Sequence, residues 1–240
     1  MDLKEALVLR SLDYKDSSKI LYLYTDEGLK SVIAHSVKKM NNVNRFLSQN
    51  GNLIKLSYSR GDFPSLKEGE LVNDYPNVKK DLVSYTYMNH IMELIGNTIP
   101  KDSDHEKLYS FVKRLFLLFD QGIDSEVLSF IFELKLLYFL GYGLNFKECN
   151  ICSNKEDLVF SIDNGGLVCS EHLSINQASY GPEVYINILK LYAIDINKTE
   201  IPVLENIDKT IVRHIIDVLY GDYVGYKTKS RGIIKQIQKY

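Results

Sequence analysis

Lys19-Ile20-Leu21-Tyr22-Leu23-Tyr24, Asp26-Glu27-Gly28 and Lys30-Ser31-Val32-Ile33-Ala34 read as strand, turn and strand. Aromatic and β-branched residues suit both runs, and the acidic pair with glycine suits a tight turn. Before this hairpin, Ala6-Leu7-Val8-Leu9-Arg10 forms another strand, followed by the polar loop Asp13-Tyr14-Lys15-Asp16-Ser17. After it, a loop over 35–50 leads to Leu53-Ile54-Lys55-Leu56-Ser57-Tyr58 and then to a fifth strand over 66–72. Five antiparallel strands, with no strong helical pattern before them, predict a small barrel of the oligonucleotide-binding (OB) type.

Pro76 marks the end of this pattern, and helical periodicity follows. Leu82, Tyr85, Met88, Met92 and Ile95 form apolar rows that stop at Gly96. Ser103-Asp104-His105-Glu106 has the form of a capping box and starts a second helix that ends before Gly122. A third begins at Asp124-Ser125 and ends at Gly141; apolar nearly all round, it belongs inside a bundle. Pro182 opens a later helix, Pro202 breaks the chain, and Ile207, Ile211, Ile215, Val218 and Leu219 line a last long helix before Gly221. The expected architecture is α+β: an OB-type barrel domain over 1–76 and an all-α domain over 77–240.

All three cysteines lie within 149–172. Cys149-Asn150-Ile151-Cys152 is followed, sixteen residues on, by Cys169-Ser170-Glu171-His172. Two short-spaced pairs separated by such a gap read as a zinc site, with Cys149, Cys152, Cys169 and His172 as ligands. Between the pairs, Val159-Phe160-Ser161-Ile162, Asp163-Asn164-Gly165-Gly166 and Leu167-Val168 form a hairpin that returns the second pair to the first. The module, over 146–178, is a zinc-ribbon-like insertion in the helical domain. Four protein ligands leave no position for a reactive water, so the ion is structural.

A chain that is 45% hydrophobic and 25% charged is that of an ordinary soluble globular protein. Three cysteines at ligand spacing fit a reducing, cytoplasmic setting better than a disulfide scaffold. The start of the chain lacks the pattern of a signal peptide, and the apolar stretch 127–140 is interrupted by Ser129, Glu133 and Lys135, which excludes a membrane span. No nucleotide-phosphate loop, serine-hydrolase elbow or metalloprotease motif is present, which argues against an ATP-driven or hydrolytic enzyme. Net charge is −2, but its distribution is uneven: residues 1–60 hold ten Lys/Arg against six Asp/Glu, and residues 221–240 hold five against one. Basic ends around an acidic middle permit a local phosphate-binding face.

The candidate phosphate contacts are Arg10, Lys19, Lys30, Lys38, Lys39, Arg45, Lys55 and Arg60. Tyr14, Tyr22, Tyr24, Phe46 and Tyr58 are interleaved with them, the mixture a single-strand binder uses to track phosphates and stack bases. Tyr22 and Tyr24 share one strand face and are read equally well as DNA contacts or as core. Lys38, Lys39 and Arg45 are on a loop, where packing explains less. Lys227, Lys229, Arg231 and Lys235 read as a solvated charged terminus, and His90, His105 and His214 as surface or hydrogen-bonded core.

The ordered set of parts resembles the RecO family of bacterial recombination mediators and DNA-annealing proteins. The resemblance runs through Ala6-Leu7-Val8-Leu9-Arg10, Tyr24-Thr25-Asp26-Glu27-Gly28, Phe132-Glu133-Leu134-Lys135-Leu136-Leu137, Leu140-Gly141-Tyr142 and Cys149-x-x-Cys152, and it ends at Tyr226-Lys227-Thr228-Lys229-Ser230. It departs from the family in two places. His172 stands where a second Cys-x-x-Cys is usual, and Lys38-Lys39 stand in a segment that tends to be arginine-rich. The resemblance implies binding of single- and double-stranded DNA and annealing of complementary strands. It also implies work with RecR and with the C-terminal peptide of the single-stranded-DNA-binding protein to load RecA in gap and double-strand-break repair, at the nucleoid and not at a membrane. Other classes the residues allow are a zinc-stabilised barrel that binds RNA or a transcription complex, and a metal-dependent enzyme.

Overall fold

Alternation along the N-terminal strands sends Leu21, Leu23, Val32 and Ala34 into one interior with Ala6 and Val8. The computed structural model describes residues 3–174, 178–197 and 208–237. Its strands are β1 (Lys4–Tyr14), β2 (Ser18–Thr25), β3 (Gly28–Ala34), β4 (Leu53–Tyr58) and β5 (Leu66–Asn73). They pair antiparallel in the order β3-β2-β1-β4-β5. A parallel bridge between Ile33 and Ser65 joins the two edges and closes the expected barrel.

Two compact units make up the chain: Met1–Leu128 with Thr228–Tyr240, and Ser129–Lys227. The change from strand to helix at residue 76 therefore lies inside the first unit. Helices α1 (Leu82–Thr98) and α2 (His105–Asp120) group with the sheet because the outer barrel face is itself apolar. Leu7 and Leu9, on that face of β1, are buried as deeply as the inward Ala6 and Val8. Lys113 of α2 pairs with Glu5 of β1, and Tyr109 donates to the same carboxylate at 3.2 Å.

Three local differences from the sequence expectation have simple causes. α1 passes Gly96 and stops at Thr98, ahead of Ile99-Pro100, where proline disfavours helix in the residue before it. α2 starts one residue later than a Ser103 capping box requires; its N-cap is Asp104, whose side chain makes no capping bond. The basic tail is not simply solvated: Lys229–Ile237 forms helix α6, which packs on α1 with Ser230 and Ile234 buried. Ser230 donates from N and Oγ to Glu93, both at 3.2 Å, and Thr228 lies 2.6 Å from His90 Nδ1.

Helix α3 (Ser125–Phe139) starts in the first unit and continues into the second, with Phe130, Ile131 and Phe132 wholly buried, as an all-apolar helix should be. The second unit adds β6 (Leu158–Ser161), β7 (Gly166–Cys169), β8 (Ser179–Tyr180), α4 (Pro182–Ala193) and α5 (Lys209–Leu219). β6 and β7 are the expected hairpin, and β8 extends it to a three-stranded sheet that the short pair Ser179-Tyr180 gave no sign of. Inside this unit Arg213 forks onto Glu133, whose residue is 1% exposed, and Tyr220 donates to the Glu133 carbonyl at 2.9 Å. The break at Pro202 and the start of the last stripe at Ile207 lie outside the described residues. No described helix is long and apolar enough to cross a membrane.

Candidate metal centre and nucleic-acid interface

The hairpin does for the cysteines what their spacing requires. Leu158 pairs with Cys169 across β6 and β7, so the second ligand pair begins where the hairpin returns. The first pair sits on a tight turn: Ser153 N donates to Cys149 O at 3.0 Å, and Cys149 N to Asn154 O at 2.7 Å. Ser153 takes a left-handed φ of 61° to close it. Asn150 N bonds Leu167 O at 2.8 Å and fastens this turn to β7. His172 follows on a single 3-10 turn, Ser170–His172.

The four ligand atoms of Cys149, Cys152, Cys169 and His172 all lie within 4.8 Å of one another. Cys152 Sγ is 3.7 Å from Cys169 Sγ, and His172 Nδ1 is 3.2 Å from Cys169 Sγ and 3.9 Å from Cys149 Sγ. A tetrahedral ion with metal–sulfur bonds of about 2.3 Å sets sulfurs about 3.8 Å apart, so the spacing fits. Burial pushes the Cys149 thiol up, but the amides of Cys152, Ile151 and Cys169 outweigh it and lower its pKa to about 6. Cys152 goes the other way: the Asn154 amide lowers it, yet burial and the sulfurs of Cys149 and Cys169 raise it overall. Three sulfurs and one imidazole nitrogen gathered this closely are a donor set that can hold a metal ion.

Gly166 gives this module a check on its packing. A Cβ there would lie 2.5 Å from Asn145 O and 2.9 Å from Asn145 N, backbone atoms paired with it in a bridge. Gly166→Ala should cost about 1–3 kcal/mol by overpacking, read as a lowered melting temperature. An unchanged melt would show that the strand from Asn145 is free to shift.

The barrel carries the nucleic-acid candidates, and the structure separates them. Tyr24 is wholly buried, edge-on to His105 at 5.9 Å and to Tyr109 at 5.7 Å, where no base can reach it. Tyr22 and Tyr24 do share a face, but it is the outer one; Leu21 and Leu23 fill the barrel, and α2 covers only the Tyr24 end. Tyr22 stays half-buried beneath Arg10, whose guanidinium lies 4.1 Å from the ring centre. Several cations are already engaged: Lys38 with Asp13 at 2.8 Å, Lys55 with Glu70 at 3.8 Å, and Lys30 with Glu27 at 4.0 Å. Lys19 reaches Ser11 Oγ at 3.4 Å.

Lys39, Arg45 and Arg60 are exposed and make no ion pair with any described residue. Lys39 and Arg45 lie on the loop after β3, which includes the 3-10 turn Val43–Ser48. Arg60 lies on the β4–β5 loop, which is tied to the end of β3 by Ile33 N to Pro64 O at 2.8 Å and by His35 to Ser65 at 3.2 Å. The same loops expose Phe46 and Phe63. Phe63 was not among the candidates, although an aromatic in Arg60-Gly61-Asp62-Phe63-Pro64, a turn with no core position to offer, is the signal that identifies it.

The second unit also has a cleft of about 460 Å³ lined by Lys135, Tyr138, Leu144, Phe146, Lys147 and Tyr192, among others. Lys135 is held below the usual amine range by burial, against the opposing pull of Asp195.

Comparison with known proteins matches residues 1–75 to the family model described as Recombination protein O N terminal, and residues 79–231 to Recombination protein O C terminal. A protein named DNA repair protein RecO from Bacillus cereus (strain AH187) is 27% identical over 98% of this chain and 97% of its own length. The protein of the same name from Bacillus anthracis gives the same figures, and that from Bacillus cytotoxicus is 26% identical over the same shares.

Proposed function

The chain belongs to the recombination protein O family, and from that premise we propose that it is a DNA repair protein that binds and anneals strands. The observation that carries this reading is the set of unpaired cations and exposed rings on two joined barrel loops. Annealing needs no covalent chemistry. A cationic surface relieves phosphate repulsion between two strands, and releasing their counterions supplies affinity. Residues 1–76 would hold the nucleic acid and 77–240 the helical part, with the metal module at 146–178 inside it.

Zinc is the ion we assign to Cys149, Cys152, Cys169 and His172, since all four tetrahedral positions are taken by protein and soft donors favour it. It would be a structural ion. The cleft beside Lys135 and Lys147 suits an acidic, apolar C-terminal peptide such as that of the single-stranded-DNA-binding protein. Work with RecR and that protein to load RecA at the nucleoid in the cytoplasm completes the proposal.

Annealing of bare and protein-coated complementary strands tests it, comparing wild type with Lys39→Ala/Arg45→Ala/Arg60→Ala. The variant should lose most annealing, and its single-strand affinity should fall less steeply with salt, by about 0.7 in the log–log slope for each contact removed. A folded wild-type protein that anneals neither substrate would overturn the proposal.

A further inference from the structure

Phe46 is 61% exposed and Phe63 is 82% exposed, on loops that also carry the unpaired cations, with Met40 and Val43 exposed beside Phe46. A single exposed ring is ordinary, but two on adjoining loops, each within three residues of an unpaired arginine, form a pattern. The backbone beneath both is fixed. Phe46 O accepts from the buried Asn52 amide at 2.7 Å, while Leu47 beside it is buried in the barrel. The loop bearing Phe63 is held by Ile33 N on Pro64 O at 2.8 Å and by Ser65 N on Ser59 Oγ at 2.8 Å. The rings are thus presented outward from anchored turns.

We propose that Phe46 and Phe63 are base-stacking positions that make the barrel loops select single strands over duplex, an inference that rests on the nucleic-acid reading above. A ring can take a base face only where the base is unpaired and unstacked, whereas Lys39, Arg45 and Arg60 meet phosphate in either form. Asp62, exposed on the same turn as Arg60, offsets part of that charge and so leaves more of the binding to stacking.

The chain contains no tryptophan. Phe63→Trp and Phe46→Trp therefore each install a lone tryptophan at the position in question, whose emission is excited apart from that of the tyrosines. Titration with oligothymidine should quench either one while affinity is kept. Phe46→Ala/Phe63→Ala, checked for an unchanged melting temperature, should bind oligothymidine weaker by about tenfold or more per ring, with an unchanged salt slope. Its affinity for blunt duplex should stay as in wild type. Alanine variants that bind single strands like wild type, or that lose single strand and duplex equally, overturn the inference and leave the functional reading standing. A wild-type protein that binds no DNA overturns both.

Discussion

Cys149→Ser protein is expected to carry no stoichiometric metal and to lose the folded state of the 146–178 module. Serine is a poor ligand for a soft ion, and three backbone amides directed at the Cys149 sulfur lower its pKa against the effect of burial. Phe160, Ile162 and Leu167 are buried elsewhere in the module, but the packing around the ligands is slight. Its buried cluster is Cys149, Val168 and Cys169, with Leu158, Val159 and Leu173 packed around. So small a cluster around the ligands depends on the ion, and metal binding in such modules is itself folding free energy, about 10–16 kcal/mol in isolated zinc-finger peptides. Here the β6–β7 pairing retains some stability of its own, so a loss of several kcal/mol is the reasonable scale. Metal content by atomic emission and cleavage by a protease within the module measure it. Wild-type metal content with an unchanged cleavage pattern would sink the structural-ion assignment.

Glu133→Ala should be the most damaging single change in the helices, at about 3–5 kcal/mol. The Glu133 carboxylate is buried and meets Arg213 through both terminal guanidinium nitrogens, Nη1 to Oε1 at 3.0 Å and Nη2 to Oε2. Burial alone would lower the Arg213 pKa, but Glu133 more than reverses this, so the arginine stays charged in the interior. Removing the carboxylate leaves that charge, among the described residues, with Asp217, 3.0 Å from Nε and partly exposed. Glu133→Leu/Arg213→Met removes both charges and should recover most of the loss, because well-packed apolar side chains replace a buried pair at little cost. Denaturant melts of the two variants decide the matter. If the double variant is no more stable than Glu133→Ala, packing and not the unpaired charge is the cause.

The barrel was legible because its signals are local. β4 falls at the residues read from sequence, and β2 and β3 differ only at their ends. The clustering of Cys149, Cys152, Cys169 and His172 was legible for the same reason, since two-residue spacers and a glycine turn leave few ways to fold. What sequence did not reveal is what another element covers. Tyr22 and Tyr24 have the same alternation and nearly the same neighbours, yet one lies against α2 and the other does not. Pairing of Lys38 with Asp13 is likewise a property of the loop after β3 meeting the end of β1. The C-terminal helix was missed because charge dominates its composition, while a few side chains, Ser230 and Ile234 among them, decide where it docks.

That docking has a consequence for how the protein is made. His90 and Thr228 are 138 residues apart, and Glu93 and Ser230 are 137 apart. The first unit is therefore discontinuous, and its last helix leaves the ribosome only after the whole second unit has done so. Strands and α1 can form early, but the face of α1 that receives α6 must wait while the whole second unit is translated and folds. Closing so long a loop is slow, though its entropic cost grows only with the logarithm of its length. During that interval α1 presents an unfinished surface, and a chain cut before Thr228 would keep it permanently.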